Sequence, residues 1–175
     1  MKKIIISLVL FVLSAACMSA TDGNNEQKYI IPDGSNWIFN NNKDGFYHFD
    51  GEAKVSVRYE ISSHKDYKNL VITVHPDSES LKSLPYLMLF DSSKQEAKNI
   101  VISNSKDILS RFINEKTQQH LNRTNDVIHG IAILILNKLS GGYECDQLTF
   151  VVSVKNIISI NANKKYMKIK RKDGC

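Results

Sequence analysis

The sequence predicts a mainly β (α+β) domain, built as an antiparallel β-sandwich or a curved sheet with one main helix, about 105–121, packed on it. Apolar or small residues alternate with polar ones over 53–61, which is typical of a strand with one face on a core and the other in water. Several further β-rich runs are separated by polar turns, while one segment has apolar residues at helical spacing. Strands whose apolar face is covered by a helix give an α+β architecture.

The first strands are predicted from this alternation and from the turn that follows it. The segment Ala53 to Ile61 carries apolar or small residues at every odd position. The run Leu70 to His75 begins after the polar segment 62–69, so we expect the two strands to form an antiparallel hairpin or to lie close together. Shorter strands are predicted over 86–90 and 99–102.

The second half of the chain adds further strands. Residues 131–136 are apolar at every position, as expected of a central strand buried on both faces, or of a core helix. Gly141 and Gly142 are expected to turn the chain. Another strand is predicted over 149–155, and a last edge strand over 166–170.

The main helix is predicted because its apolar residues fall near one side, namely Ile108, Leu109, Phe112, Ile113 and Leu121. Asn104 or Ser105 can cap its start. A shorter helix over 77–84 is expected to stop at Pro85.

The N-terminus predicts export. Lys2 and Lys3 precede an unbroken apolar run, Ile4 to Leu13, and small residues follow it. This pattern is typical of a secretory signal, and the run is too short to span a bilayer as a permanent helix. We expect a signal peptide over 1–20, cleaved near 16–20, a flexible segment over 21–28, and a single β-rich domain over 29–175.

Cys17 follows Leu13-Ser14-Ala15-Ala16, which resembles a bacterial lipobox, in which the cysteine is acylated and becomes the new N-terminus. The lipobox pattern places its large aliphatic residue three positions before the cysteine, where this chain has Ser14. The mature protein is therefore expected in the periplasm or secreted, with a membrane-anchored lipoprotein as the alternative.

Two cysteines remain after the signal, Cys145 and Cys175, and an exported chain is expected to join them. This disulfide would close a loop of about thirty residues and contribute roughly 3 to 4 kcal/mol in the loop-entropy model. The sequence contains no Cys-x-x-Cys motif, so redox catalysis by these two thiols is not expected.

Two groups of residues are candidates for chemistry. His48, Asp50 and Glu52 would share one face of a continuous strand and form a workable set of metal ligands. However, Asp50-Gly51 is a turn signal that would break the alternation, so the metal site is a weak candidate. His120, Asp126 and His129 flank a polar loop and suggest an acid–base group, although no Gly-x-Ser-x-Gly nucleophile motif is present.

No cofactor is expected, because the sequence contains no phosphate loop, dinucleotide fingerprint or haem motif. The formal net charge is +5, and a basic strip lies near the C-terminus, made of Lys164, Lys165, Lys168, Lys170, Arg171 and Lys172. The strip suits an anionic membrane surface or an acidic protein, or it protects an exposed edge strand from aggregation. Nucleic-acid binding is not expected, since Tyr166 is the single aromatic residue in the strip.

Aromatic residues crowd a second stretch, which is rich in Asn and Gly: Trp37, Phe39, Phe46, Tyr47 and Phe49. Such rings either present a surface to a carbohydrate or protein, or cap the open end of a sandwich.

The sequence is compatible with two classes of function. The first is an exported bacterial envelope protein that binds another envelope or secreted protein without catalysis, as an inhibitor, an immunity-like protein or a surface-assembly accessory. The alternative is a small periplasmic hydrolase or metal-binding protein. The sequence favours the first, because it lacks catalytic motifs, and it does not indicate the oligomeric state.

Overall fold

The computed structural model describes residues 29–63, 69–87, 100–144 and 147–168, with the backbone alone described at 143–144, 147 and 163–165. The predicted signal peptide, the segment 21–28, Cys17, Cys145 and Cys175 lie outside these residues.

The described residues form eight strands and three helices. The strands are β1 (Tyr29–Ile30), β2 (Ile38–Lys43), β3 (Phe46–Ser63), β4 (Leu70–Pro76), β5 (Tyr86–Leu87), β6 (Ile100–Ile102), β7 (Asp126–Glu144) and β8 (Gln147–Lys168). The helices are α1 (Ser78–Leu81), α2 (Ser105–Phe112) and α3 (Glu115–Arg123).

Six strands form one large sheet in the order β2-β3-β4-β6-β8-β7, while β1 and β5 pair separately. β3 also pairs with β7, so β3, β4, β6, β8 and β7 make a closed ring of hydrogen-bonded strands. The mainly β prediction is confirmed, and every pair of neighbouring strands in the large sheet is antiparallel except one. β6 runs parallel to β8, which makes the sheet mixed. The sandwich form of the prediction is not confirmed.

The alternation predicted over 53–61 is confirmed. Ala53, Val55, Val57, Tyr59 and Ile61 are all buried in β3, with exposed fractions of 7% or less. β3 and β4 pair antiparallel as expected, with Tyr59 opposite Val74. The buried apolar side chains of β3 and β4 lie on the same face of the sheet. We call this the inner face, and the hydrophobic core packs against it.

The predicted single helix over 105–121 is instead two helices, α2 and α3. The chain becomes extended at Ile113, and Asn114 then caps α3 by accepting a hydrogen bond from the backbone N–H of Thr117 at 2.9 Å. An asparagine that bonds to the backbone competes with helical continuation, which is the physical reason for the break. Both helices still bury apolar residues, as predicted for a helix packed on the sheet.

The prediction that Gly141 and Gly142 turn the chain was wrong, because β7 continues through both. A Cβ atom at Gly141 would lie 2.6 Å from the ring of Phe150, and one at Gly142 would lie 2.8 Å from the ring of Phe46. The glycines therefore allow aromatic rings of neighbouring strands to lie against the backbone of β7.

The short helix α1 confirms the helix predicted before Pro85. Its N-cap is Asp77, whose Oδ1 accepts a hydrogen bond from the backbone N–H of Ser80 at 2.8 Å. This bond, with the Ser80 side chain and other local donors, lowers the pKa of Asp77.

Asp77 is expected to contribute to acid sensitivity. A lowered folded-state pKa gives a stability contribution that is present above the unfolded pKa of about 3.9 and is lost as pH falls through the folded value. Asp77→Asn keeps a capping oxygen but does not titrate. We therefore expect the free energy of unfolding to fall less between about pH 5 and pH 2 in the variant, measured by urea unfolding. Equal losses in both proteins would contradict this role.

Candidate functional site

The outer face of β7 is apolar and not covered by any described element. Leu134 and Leu136 point inward with exposed fractions of 0%, whereas Ile131, on the opposite face, is 55% exposed. Ile133 and Ile135 are half-buried. We call Ile131, Ile133 and Ile135 the isoleucine row. The predicted burial of 131–136 on both faces was therefore wrong, because the core lies on one side of β7 alone.

The strand register places polar residues along both sides of this row. On β3, Lys54 lies opposite Ile135 and Arg58 lies opposite Ile131. On β8, Asn161 lies opposite Ile131. Where the register of β7 and β8 shifts, the extra residue Ile158 is 48% exposed. An apolar centre with a polar margin is the usual arrangement of a protein interface.

A depression of about 770 Å³ lies at the Ile131 end of the row. Strands β3, β4, β7 and β8 all contribute to its lining, which includes Arg58, Glu60, His75, His129, Ile131, Asn161 and Met167. His75 lies directly opposite Arg58, and His129 lies opposite Glu60, so the register of three strands assembles these four ionisable groups.

The contacts in the depression leave part of this charge unpaired. His129 Nδ1 lies 3.9 Å from Glu60 Oε2, which is within range of an ion pair but too long for a hydrogen bond. In the part of the chain that the structure describes, the Arg58 guanidinium and the His75 ring have no hydrogen-bond or ion-pair partner. Arg58 is also exposed, so its charge is available to a ligand.

Tyr59 and Gly130 support this part of the sheet from the inside. The two residues are direct cross-strand partners, and a Cβ atom at Gly130 would lie 2.4 Å from the Tyr59 hydroxyl. The ring packs edge-on against Phe112, with centroids 4.9 Å apart. The Tyr59 hydroxyl is buried without a hydrogen-bond partner among the described residues, and this burial raises the pKa of Tyr59.

In the structure, the three residues of the predicted metal site each contact a different partner. His48 Nδ1 lies 2.8 Å from Ser140 Oγ, Asp50 accepts a hydrogen bond from Asn40, and Glu52 pairs with Lys155. β3 continues through Asp50 and Gly51, so the predicted turn was wrong, although the register with β7 shifts there. The described residues include no group of three or more His, Cys, Asp or Glu side chains arranged to hold a metal ion.

The predicted acid–base group of His120, Asp126 and His129 does not come together, because His129 lies near a different residue. His120 Nε2 lies 2.7 Å from Asp126 Oδ2, and the His120 ring also contacts the ring of Tyr166. His129 belongs instead to the depression with Glu60. Sequence reasoning did not find the roles of Arg58 and His75. The signal that could have found them is the row of polar residues on the outer face of 53–61. Pairing of this strand with β4 places His75 opposite Arg58.

The basic strip lies largely outside the described residues. Lys168 is exposed at the end of β8, while Lys170, Arg171 and Lys172 lie beyond the described chain and the side chains of Lys164 and Lys165 are not described.

The aromatic stretch packs against the protein itself. Trp37 is 3% exposed and its indole N–H donates to the carbonyl of Ser83 at 2.9 Å, while Phe49 is 1% exposed. Phe39 stacks on Tyr29 with ring centroids 4.5 Å apart. Of the two predicted roles, these contacts favour packing over ligand presentation.

Comparisons with protein-family models, curated proteins and solved structures give no match. Within the described residues, no helix has the length and apolar content needed to cross a membrane.

Proposed function

We propose that the chain is an exported bacterial envelope protein that binds another envelope or secreted protein without catalysis. One observation carries this function, the isoleucine row on a sheet face that no described element covers. A strand that faces water normally carries polar residues on its outer side, as β3 does with Lys54, Arg58 and Glu60. Exposed apolar residues grouped inside a polar margin mark interaction sites, and in this row Ile131 is exposed while Ile133 and Ile135 are half-buried.

The partner is a protein that presents an apolar surface with acidic residues at its edge. Lys54 and Arg58 follow the row along β3, and the formal net charge of +5 falls to about +3 when the predicted signal peptide removes Lys2 and Lys3. Complementary charge of this kind accelerates encounter and fixes the orientation of a partner. Such a face would suit an inhibitor, an immunity-like protein or a surface-assembly accessory, each of which must bind another protein. The N-terminal pattern, a charged start followed by an apolar run and small residues, supports location in the periplasm or outside the cell.

The alternative, a small periplasmic hydrolase, rests on the two histidines and Glu60 in the depression. His129 and Glu60 line the same depression with Nδ1 and Oε2 3.9 Å apart, so either could exchange a proton with a bound substrate. The lining includes no serine, threonine or cysteine nucleophile among the described residues. The geometry therefore supports binding better than hydrolysis.

Capture from the envelope of the source bacterium tests the proposed function. Wild-type protein, a variant with Ile131→Thr, Ile133→Thr and Ile135→Thr, and a control variant with Ile38→Thr are each immobilised. Threonine keeps the β-branched shape that a strand favours but reduces apolar surface. Ile38 is 69% exposed on β2, outside the row.

We expect a stoichiometric protein that wild type and the Ile38 variant retain and that the row variant loses. Retention by all three proteins, or by none, would contradict docking on the row. Self-association of the purified wild type through the row, measured by sedimentation and absent in the row variant, would identify a second copy as the occupant and overturn the proposal.

A further inference from the structure

The depression holds a positive group, Arg58, that has no direct ion-pair partner in the described chain. Arg58 is exposed and forms no ion pair within the described chain. The acidic residue nearest to it along the same face of β3 is Glu60, whose carboxylate is directed toward His129 at 3.9 Å. Glu60 therefore contacts His129 rather than Arg58, and the Arg58 guanidinium lines the depression without a direct partner in the described chain.

Two further hydrogen-bond donors line the same depression. His75 is its direct neighbour on β4, and Asn161 lines the same depression from β8. A guanidinium presents its N–H groups as a rigid fork that matches the two oxygens of a carboxylate. A neutral imidazole has one N–H and the Asn161 amide has two, so both can complete the contacts of an anion held by Arg58.

We infer that this depression is a carboxylate-binding site, in which Arg58 is the principal ligand and His75 and Asn161 assist. Glu60 is expected to make the site prefer singly charged over doubly charged anions. Its carboxylate lies two residues along the strand from Arg58, so a doubly charged phosphate meets stronger repulsion than a singly charged carboxylate.

The source of the carboxylate is an acidic side chain of the protein that docks on the isoleucine row, and this assignment of the source rests on the proposed function. Ile131 lines the depression and also forms one end of the row. A partner whose apolar side chain covers Ile131 therefore places a neighbouring Asp or Glu within reach of Arg58. A free small carboxylate has the same chemistry and is distinguished by the experiment.

The test is a titration of the isolated protein, followed by the backbone amide signals of residues 58, 75, 129 and 161 in two-dimensional NMR. The probes are sodium propionate, the capped dipeptide acetyl-Ile-Glu-amide and sodium phosphate, with sodium chloride at equal ionic strength as the reference. Arg58→Gln removes the principal ligand. Lys54→Gln removes one positive charge from the same face outside the depression and is the matched control.

We expect saturable shifts with propionate and with the dipeptide, weakened at least about tenfold by Arg58→Gln and at most about twofold by Lys54→Gln. Tighter binding of the dipeptide supports a protein source, and tighter binding of propionate supports a free carboxylate. Shifts no larger than those of chloride, preference for phosphate, or equal weakening in the two variants would overturn the inference. Because no partner protein is used, this outcome is independent of the capture experiment.

Discussion

Leu134→Ala is expected to destabilise the protein by about 3 kcal/mol, whereas Ile131→Ala, three residues earlier on the same strand, is expected to cost about 1 kcal/mol or less. Leu134 is 0% exposed and lies opposite the equally buried Val55, so its truncation leaves a cavity in the core. Ile131 is 55% exposed, so much of its side chain already contacts water in the free protein.

Urea unfolding of the two variants with a common slope measures this difference. Leu134 and Ile131 are alike in size and differ mainly in the face of β7 that they occupy. Similar losses in both variants would mean that the outer face of β7 is packed in the free protein, and the isoleucine row would then be part of the core.

Gly130→Ala is expected to have the second large effect, a loss of about 2 to 3 kcal/mol in the free energy of unfolding. A Cβ atom there would lie 2.4 Å from the Tyr59 hydroxyl and 2.6 Å from the backbone oxygen of Asn161. Tyr59 is 1% exposed and packs against Phe112, so its ring has little room to move away.

A double-mutant cycle with Tyr59→Val separates the clash with the ring from the loss of glycine flexibility. Valine lacks the ring and hydroxyl atoms that the new Cβ atom would meet. We expect the cost of Gly130→Ala to fall by more than half in the Tyr59→Val background. An unchanged cost would assign the effect to the Asn161 backbone, and a cost below about 0.5 kcal/mol in wild type would show that the ring moves freely.

Local sequence patterns predicted the strands well where one face is buried. The period of two over 53–61 identified the core face of β3, and the polar segment after it indicated the antiparallel pairing with β4. Burial of side chains follows from that pattern because successive residues on a strand point to opposite faces.

Other features depend on contacts between distant segments, which local patterns do not contain. The apolar residues 131–136 do not show that one face of β7 lacks a cover, since the cover depends on which elements pack there. The pair Gly141-Gly142 resembles a turn signal in the sequence. In the structure these positions lack side chains because aromatic rings from neighbouring strands lie against the backbone there. The break between α2 and α3 was readable in principle, because Asn114 is a good N-cap residue.

The candidate site was predicted only in part. His129 was identified as a candidate, but its neighbours Glu60 and His75 come from β3 and β4, which are distant in the sequence. The register of β3 against both β4 and β7 brings Arg58, Glu60, His75 and His129 to one place. A sequence without known strand pairing does not determine that register.

The central claim is that the isoleucine row is the docking face, and the affinity of the purified captured partner tests it most directly. Calorimetry would compare wild type, the Ile38→Thr control and the variant with Ile131, Ile133 and Ile135 all changed to threonine. The account predicts binding weakened at least about 100-fold in the row variant, equivalent to about 2.7 kcal/mol, with the control within about twofold of wild type. Equal affinity of the row variant and wild type would contradict it.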